Sequence, residues 1–331
     1  MSDILVNVIR GNAIESIHRG HIVVVNSKGD ILYQLGNPDF NICLRSCAKP
    51  LQALPVITTG AADTFSFTPA ELAVMSGSLN GQDFQVNTIK SILNKIGLDE
   101  RALQCGIHRP SHRATAKKLQ EEGRKPSPLH NNCAGKHTAM LALCVHHGWS
   151  LDNYISKEHP VQQLIVKTVS SMTEVAIEKV GIGIDGCGVP VFSLPLKNLA
   201  ISYAKLTDTS DQDIHRLMEA ILSHPEMIAG DKRICTDIMR ALGKKVFAKT
   251  GAEGGYAMSL MEKGWGVAIK IEDGNNRAIQ PVTIEALKQL DIITKKEEDK
   301  LQTYHHPVIK NHRKETVGSI AAQFSLTNQP S

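Results

Sequence analysis

Leu44-Arg45-Ser46-Cys47-Ala48-Lys49-Pro50-Leu51-Gln52 carries an S-x-x-K pattern at a helix start. On a helix, residues three apart share a face, so the Ser46 hydroxyl and the Lys49 amine can meet. A serine hydroxyl attacks poorly until a base takes its proton. A lysine serves as that base only if burial or a neighbouring cation lowers its pKa. Two shorter patterns follow. Ser78-Leu79-Asn80 has the form S-x-N, and Lys249-Thr250-Gly251 closes the strand-like run KVFAKTG. Each alone reads equally well as a helix start, a turn, or a strand end.

Their order changes the reading. Active-site serine hydrolases of the class A β-lactamase and penicillin-binding type carry S-x-x-K, then S-D-N, then K-T-G. Here the first pattern opens a helix, the second lies in a helical region and the third sits on a late strand. The surrounding sequence agrees. ILVNVI (4–9), HIVVVNS (21–27) and DILYQLG (30–36) are strand candidates, the last two around the turn Ser27-Lys28-Gly29-Asp30. From Leu44 to Gly243 the pattern is mainly helical. Thr68-Pro69-Ala70-Glu71 predicts a capped helix start. Apolar periodicity predicts helices over Gly135–His147, Val161–Val180 and Asp211–Leu222. KVFAKTG, GYAMSLMEK and WGVAIKIED then predict three strands, a helix follows over Arg277–Leu290, and a closing strand lies near Thr316. The expected fold is therefore α/β, with an antiparallel sheet from both chain ends (1–43 and 244–331) and an inserted helical part (44–243), in a single catalytic unit over 1–331.

Composition narrows the function classes. The chain has 331 residues, a formal charge of +4 and 4% aromatic residues, which does not describe a nucleic-acid binder. No apolar stretch is long enough to span a bilayer, so no membrane partner is expected. The opening MSDILVNVIRGN lacks a basic segment followed by a long apolar one. Seven scattered cysteines without that signal read as reduced thiols in the cytoplasm.

Two further segments hold metal-binding residue types. His130-Asn131-Asn132-Cys133-Ala134-Gly135-Lys136-His137 places Cys133 and Lys136 at a helix start, and Ile184-Asp185-Gly186-Cys187-Gly188 places Asp185 and Cys187 in a glycine-rich loop. On the residues alone two readings stand: loops with small buried thiols, or donors converging on a soft-to-borderline ion such as zinc.

LRSCAKPLQALP, HNNCAGKHTAML, IDGCGVPVF, KTGAEGGYAM and AIKIEDGNNRA, with RGNAIESIHRGHIVVV at the N-terminal end, together resemble the Rhizobium-type L-asparaginases, the asparaginase II family. The likeness runs from Val6 to at least Leu290. It implies a serine β-lactamase-like fold and hydrolysis of L-asparagine to L-aspartate and ammonia through an acyl-enzyme. It maps two catalytic Ser–Lys tandems onto Ser46 with Lys49 and Ser78 with Lys249, and a zinc site onto Cys133, Lys136, Asp185 and Cys187. The fold analogy adds an oxyanion hole from the backbone N–H groups of Ser46 and Ala252. Arg45, Asn80 and His137 are the expected substrate-binding residues, and a homodimer is expected. Where many members carry a Gly-Glu segment and a histidine after the second serine, this chain reads Gly81-Gln82-Asp83. The competing readings are a glutaminase, another β-lactamase-like amidohydrolase or esterase, and a zinc-stabilised binding protein of the same fold.

Overall fold

In the computed structural model, which describes Met1–Asn328, the strands in chain order are β1 (Asp3–Arg10), β2 (Ala13–Val25), β3 (Ile31–Leu35), β4 (Asn41–Cys43), β5 (Gly181–Ile184), β6 (Pro190–Pro195), β7 (Val246–Thr250), β8 (Gly255–Leu260), β9 (Trp265–Ile271), β10 (Val308–Lys310), β11 (Thr316–Ala322) and β12 (Thr327–Asn328). The chain divides into two compact units. Among the described residues the sheet unit comprises 1–47, 194–207 and 237–328; the helical unit comprises 48–193 and 208–236.

The sheet unit is built on one large sheet in the order β10-β11-β1-β2-β9-β8-β7, with β3 pairing β2 and β12. Its ladders are antiparallel, so both chain ends contribute to one sheet, as the sequence predicts. Every residue from Gly20 to Val25 is buried. A run buried at successive positions has both faces covered, which is why HIVVV is continuously apolar rather than alternating. The helix Leu196–Lys205 packs on β9, β8 and β2, and the helix Ile279–Gln289 packs on β11, β1 and β9. The first of these belongs to the sheet unit although its sequence lies within the stretch read as the helical part; helical periodicity does not say which body a helix joins. Lys249 lies on β7 at the end of the sheet order, paired with Ala257 of β8.

In the helical unit the predicted start at Thr68 is a full capping box. The Thr68 N–H donates to Glu71 Oε2 at 2.7 Å and the Glu71 N–H donates to Thr68 Oγ1 at 3.3 Å, opening the helix Pro69–Met75. The helix Ala134–His147 buries Met140, Leu141, Leu143 and Cys144 completely. It lies so close to the helix Pro69–Met75 that a Cβ on Gly135 would meet the Val74 carbonyl oxygen at 2.0 Å. Gly135→Ala should therefore destabilise the protein by about 1–3 kcal/mol through overpacking. A urea midpoint equal to that of the parent would contradict this packing.

The helix expected over Val161–Val180 is shorter, Pro160–Thr173. Glu174 adopts a left-handed conformation (φ 57°), and the Ser170 hydroxyl donates to the Val175 carbonyl, which closes the helix. The β5–β6 hairpin then follows, in a stretch that the sequence read as helical and loop. Among the described residues no helix is long and apolar enough to cross a membrane.

Candidate active site

The helical unit holds Lys49, Ser78, Asn80, Cys133, Lys136, His137, Asp185 and Cys187; the sheet unit holds Arg45, Ser46, Lys249 and Ala252.

Lys49 opens the helix Lys49–Ala53 and is completely buried. Its Nζ lies 2.8 Å from the carbonyl oxygens of Gly77 and Asn132 and 3.2 Å from Ser78 Oγ. Burial is the main cause that pushes this amine below its ordinary range; the Cys133 thiolate acts against that and the Lys136 ammonium acts with it. The helical unit thus joins Lys49 to the second serine, held in an extended loop whose Ser78 N–H donates to the Ile228 carbonyl at 2.7 Å.

Asn80 continues that loop. Its backbone N–H donates to Gln85 Oε1 and its Nδ2 to Gln82 Oε1, while its buried Oδ1 has no hydrogen-bond partner among the described residues. The unusual segment after Ser78 has structural roles here. Gln82 caps the helix Asp83–Lys95 and exchanges hydrogen bonds with Asp231, and Asp83 pairs with Lys118 on the surface.

His137 is fully buried on the helix Ala134–His147, and burial holds its ring neutral. Its Nδ1 lies 2.6 Å from the Tyr154 hydroxyl, which accepts the Gln104 backbone N–H at 3.0 Å. Burial pushes the Tyr154 phenol up, so it keeps its proton. The phenol then donates to His137 Nδ1, which leaves the ring proton on Nε2, and that atom has no partner among the described residues. An orphan donor at His137 and an orphan acceptor at Asn80 each cost roughly 1–3 kcal/mol unless a ligand or water satisfies them.

Cys133, Asp185 and Cys187 present ligand atoms that all lie within 4.8 Å of one another. The buried Lys136 Nζ donates to Asp185 Oδ2 at 2.8 Å. The Cys133 thiol is pulled well down, chiefly by its hydrogen bond with Cys187 and further by Lys49 and Lys136; Cys187 is pushed up by the same bond and by burial. Burial lowers Lys136, but the Cys133, Cys187 and Asp185 charges outweigh it, so Lys136 is a cation. Two sulfurs and a carboxylate at these separations fit a zinc-type donor set, which the Lys136 amine would complete on losing its proton to an incoming ion.

In the sheet unit Ser46 lies, partly exposed, in the 3₁₀ turn Arg45–Ala48, which continues into the helix of Lys49. Arg45 begins the turn in a left-handed conformation (φ 46°). The K-T-G strand end packs against this turn. Cys47 Sγ contacts the Lys249 carbonyl at 3.5 Å, the Tyr203 hydroxyl donates to the Cys47 carbonyl at 2.9 Å, and a Cβ on Gly251 would meet Cys47 Sγ at 3.1 Å. Lys249 is fully buried, with Nζ 3.1 Å from the Thr250 carbonyl. Ala252 follows in the turn that leads to β8. Tyr203, which holds the Cys47 turn in the sheet unit, and Tyr154, which holds His137 in the helical unit, were not singled out in the sequence, because a buried tyrosine has no local pattern that distinguishes it from core.

The sequence profile of the L-asparaginase II family matches residues 6–322. No curated protein matches the chain. Solved structures similar to it include a β-lactamase from Mycobacterium bovis (13% identity, 86% of this chain and 95% of that one, TM-score 0.41). Others are an octameric penicillin-binding protein homologue from Pyrococcus abyssi (16% identity, 86% and 76%, TM-score 0.46) and Mglu in its native form (14% identity, 83% and 65%, TM-score 0.46).

Proposed function

The chain belongs to the L-asparaginase II family and is an amidohydrolase, and from that premise we propose that it hydrolyses the side-chain amide of L-asparagine through a serine acyl-enzyme. The single observation that carries this reading is Lys49: a fully buried amine, lowered by burial, 3.2 Å from a serine hydroxyl and three residues after another serine.

Ser46 Oγ attacks the amide carbon as its proton passes to Lys49 Nζ. The backbone N–H groups of Ser46 and Ala252 receive the developing oxyanion. The C–N bond then breaks, and Ser78 with Lys249 delivers a proton to the leaving ammonia. Water hydrolyses the resulting ester to aspartate and frees Ser46. The orphan His137 Nε2–H suits the substrate's α-carboxylate, the orphan Asn80 Oδ1 suits its ammonium, and Arg45 adds a cation for the carboxylate.

Cys133, Lys136, Asp185 and Cys187 would hold a zinc ion. Four protein donors leave no open position for substrate, so such an ion would fix the loop bearing Asp185 and the helix bearing His137. Cys133→Ala should lose most bound zinc and raise KM more than it lowers kcat. Metal-free protein with undiminished kcat/KM would remove zinc from the account. The reading also includes a cytoplasmic homodimer, which a solution mass of twice the 36.1 kDa chain would support and a monomer mass would contradict.

The direct test is ammonia release from L-asparagine, L-glutamine and a chromogenic β-lactam. Asparagine should be preferred over glutamine by roughly 10–200-fold, the discrimination that one methylene permits. Equal or greater turnover of glutamine, or β-lactam hydrolysis without ammonia from asparagine, would overturn the assignment.

A further inference from the structure

A second cluster of metal-ligating side chains lies in the sheet unit, on residues that take no part in the site described above. Glu298 comes from the short helix Lys295–Lys300, and His305 and His306 end the turn that follows it. One ligand atom from each lies within 4.8 Å of the other two. We propose that Glu298, His305 and His306 form a binding site for a divalent transition-metal ion of the zinc class, which ties the C-terminal helical segment to the helix Ile279–Gln289.

The argument rests on the His305 ring. It is almost completely buried, and its Nε2 lies 2.8 Å from Glu285 Oε2, on the helix Ile279–Gln289. A ring that donates from Nε2 to Glu285 keeps a lone pair on Nδ1. Nδ1 itself lies 3.1 Å from an oxygen of a second carboxylate, Glu298 Oε1. A proton shared between them would need the oxygen in line with the ring nitrogen, yet Nδ1 makes no hydrogen bond despite the short separation. An ion held by both atoms sits between them and suits this off-line arrangement. Two ligand atoms each about 2.0–2.1 Å from one tetrahedral zinc stand roughly 3.3 Å apart, near the observed spacing. His306 stacks on His305 with ring centroids 4.0 Å apart and supplies the third donor at the exposed edge.

The surroundings match what a metal histidine needs. Glu285 holds the far nitrogen of His305, the usual carboxylate behind a ligating imidazole, and is itself fixed by Gln289 Nε2 at 2.7 Å. Two imidazoles favour zinc, nickel or copper over calcium or magnesium. Lys295 Nζ at 3.0 Å from Glu298 Oε2 and Lys288 Nζ at 3.5 Å from Oε1 now partly neutralise the carboxylate. Both lysine side chains are half-exposed or more, so an incoming ion can displace them into water at little cost. Three protein donors leave a coordination position open.

The test titrates zinc chloride into tag-free, full-length protein carrying Cys133→Ser and Cys187→Ser, which removes the thiolate donors, with and without His306→Ala or Glu298→Gln. The parent should bind one zinc and melt at a higher temperature with zinc present. Both variants should bind at least tenfold more weakly and show no zinc-dependent shift. If the double-serine background does not fold, metal analysis of otherwise wild-type protein serves instead, with His306→Ala expected to hold one zinc fewer. Ammonia release should be unchanged by His306→Ala, so failure here is distinct from failure of the amidohydrolase reading. Absence of binding in the parent, or equal zinc binding with and without His306 and Glu298, would overturn the proposal.

Discussion

Lys49→Met should leave a folded protein whose ammonia release falls by at least about 10²–10⁴, the usual contribution of a positioned base. Methionine keeps most of the side-chain volume in a site with no exposure. What it removes is the amine between Ser78 Oγ and the carbonyls of Gly77 and Asn132. The two carbonyls lose a partner, so a stability loss of roughly 1–3 kcal/mol accompanies the lost rate. Ser46→Ala should cost at least as much activity with little effect on stability, because Ser46 is partly exposed at the surface of its turn. If nucleophile and base act as one device, as proposed, the double variant should be no slower than the worse single one. Multiplicative losses, or substantial activity in either single variant, would separate the two residues.

The second large effect is on pH dependence. The proposed mechanism needs Lys49 as a neutral amine, and burial moves its titration below the ordinary 10.5. The fraction of neutral amine therefore grows as pH rises, and kcat/KM should climb with pH through the lowered pKa. In the structure desolvation comes first, and Lys136 is the cation that adds to it. Stability gives an independent reading of the same group. Between the lowered pKa and 10.5 the unfolded chain binds the proton and the folded one does not, so this contribution to stability rises with pH and is lost as pH falls. The stability gap between wild type and Lys49→Met should widen in favour of wild type across that window. A pH-independent gap, with a flat activity profile, would mean that the amine keeps its proton in the folded state.

Much of the fold could be read from local pattern. The continuous apolar run at Ile22–Val25, the Thr68-Pro69-x-Glu71 cap and the Ala134–His147 periodicity each predict the element that forms. What escaped has physical causes. Glu174 ends its helix by taking a left-handed conformation that no side-chain pattern announces. The β5–β6 hairpin is short and glycine-rich, and so lacks the alternation that marks a strand. At the site, motif order points to Ser46, Lys49, Ser78 and Lys249, but spacing cannot say which partners meet. In the helical unit Lys49 reaches Ser78, and in the sheet unit the Ser46 turn meets the K-T-G strand end through Cys47. The orphan atoms of Asn80 and His137 follow from packing, with Tyr154 setting the histidine tautomer. The cluster at Glu298, His305 and His306 lies in a polar tail that gives no motif at all.

The most direct test of the acyl-enzyme is to quench the protein with acid while it turns over L-asparagine and to map the adduct by peptide mass. The account predicts an aspartyl ester on the peptide that contains Ser46, absent in Ser46→Ala and slow to form in Lys49→Met. Steady turnover with no adduct under any quench, or an ester on Ser78 with Ser46 unmodified, would contradict it.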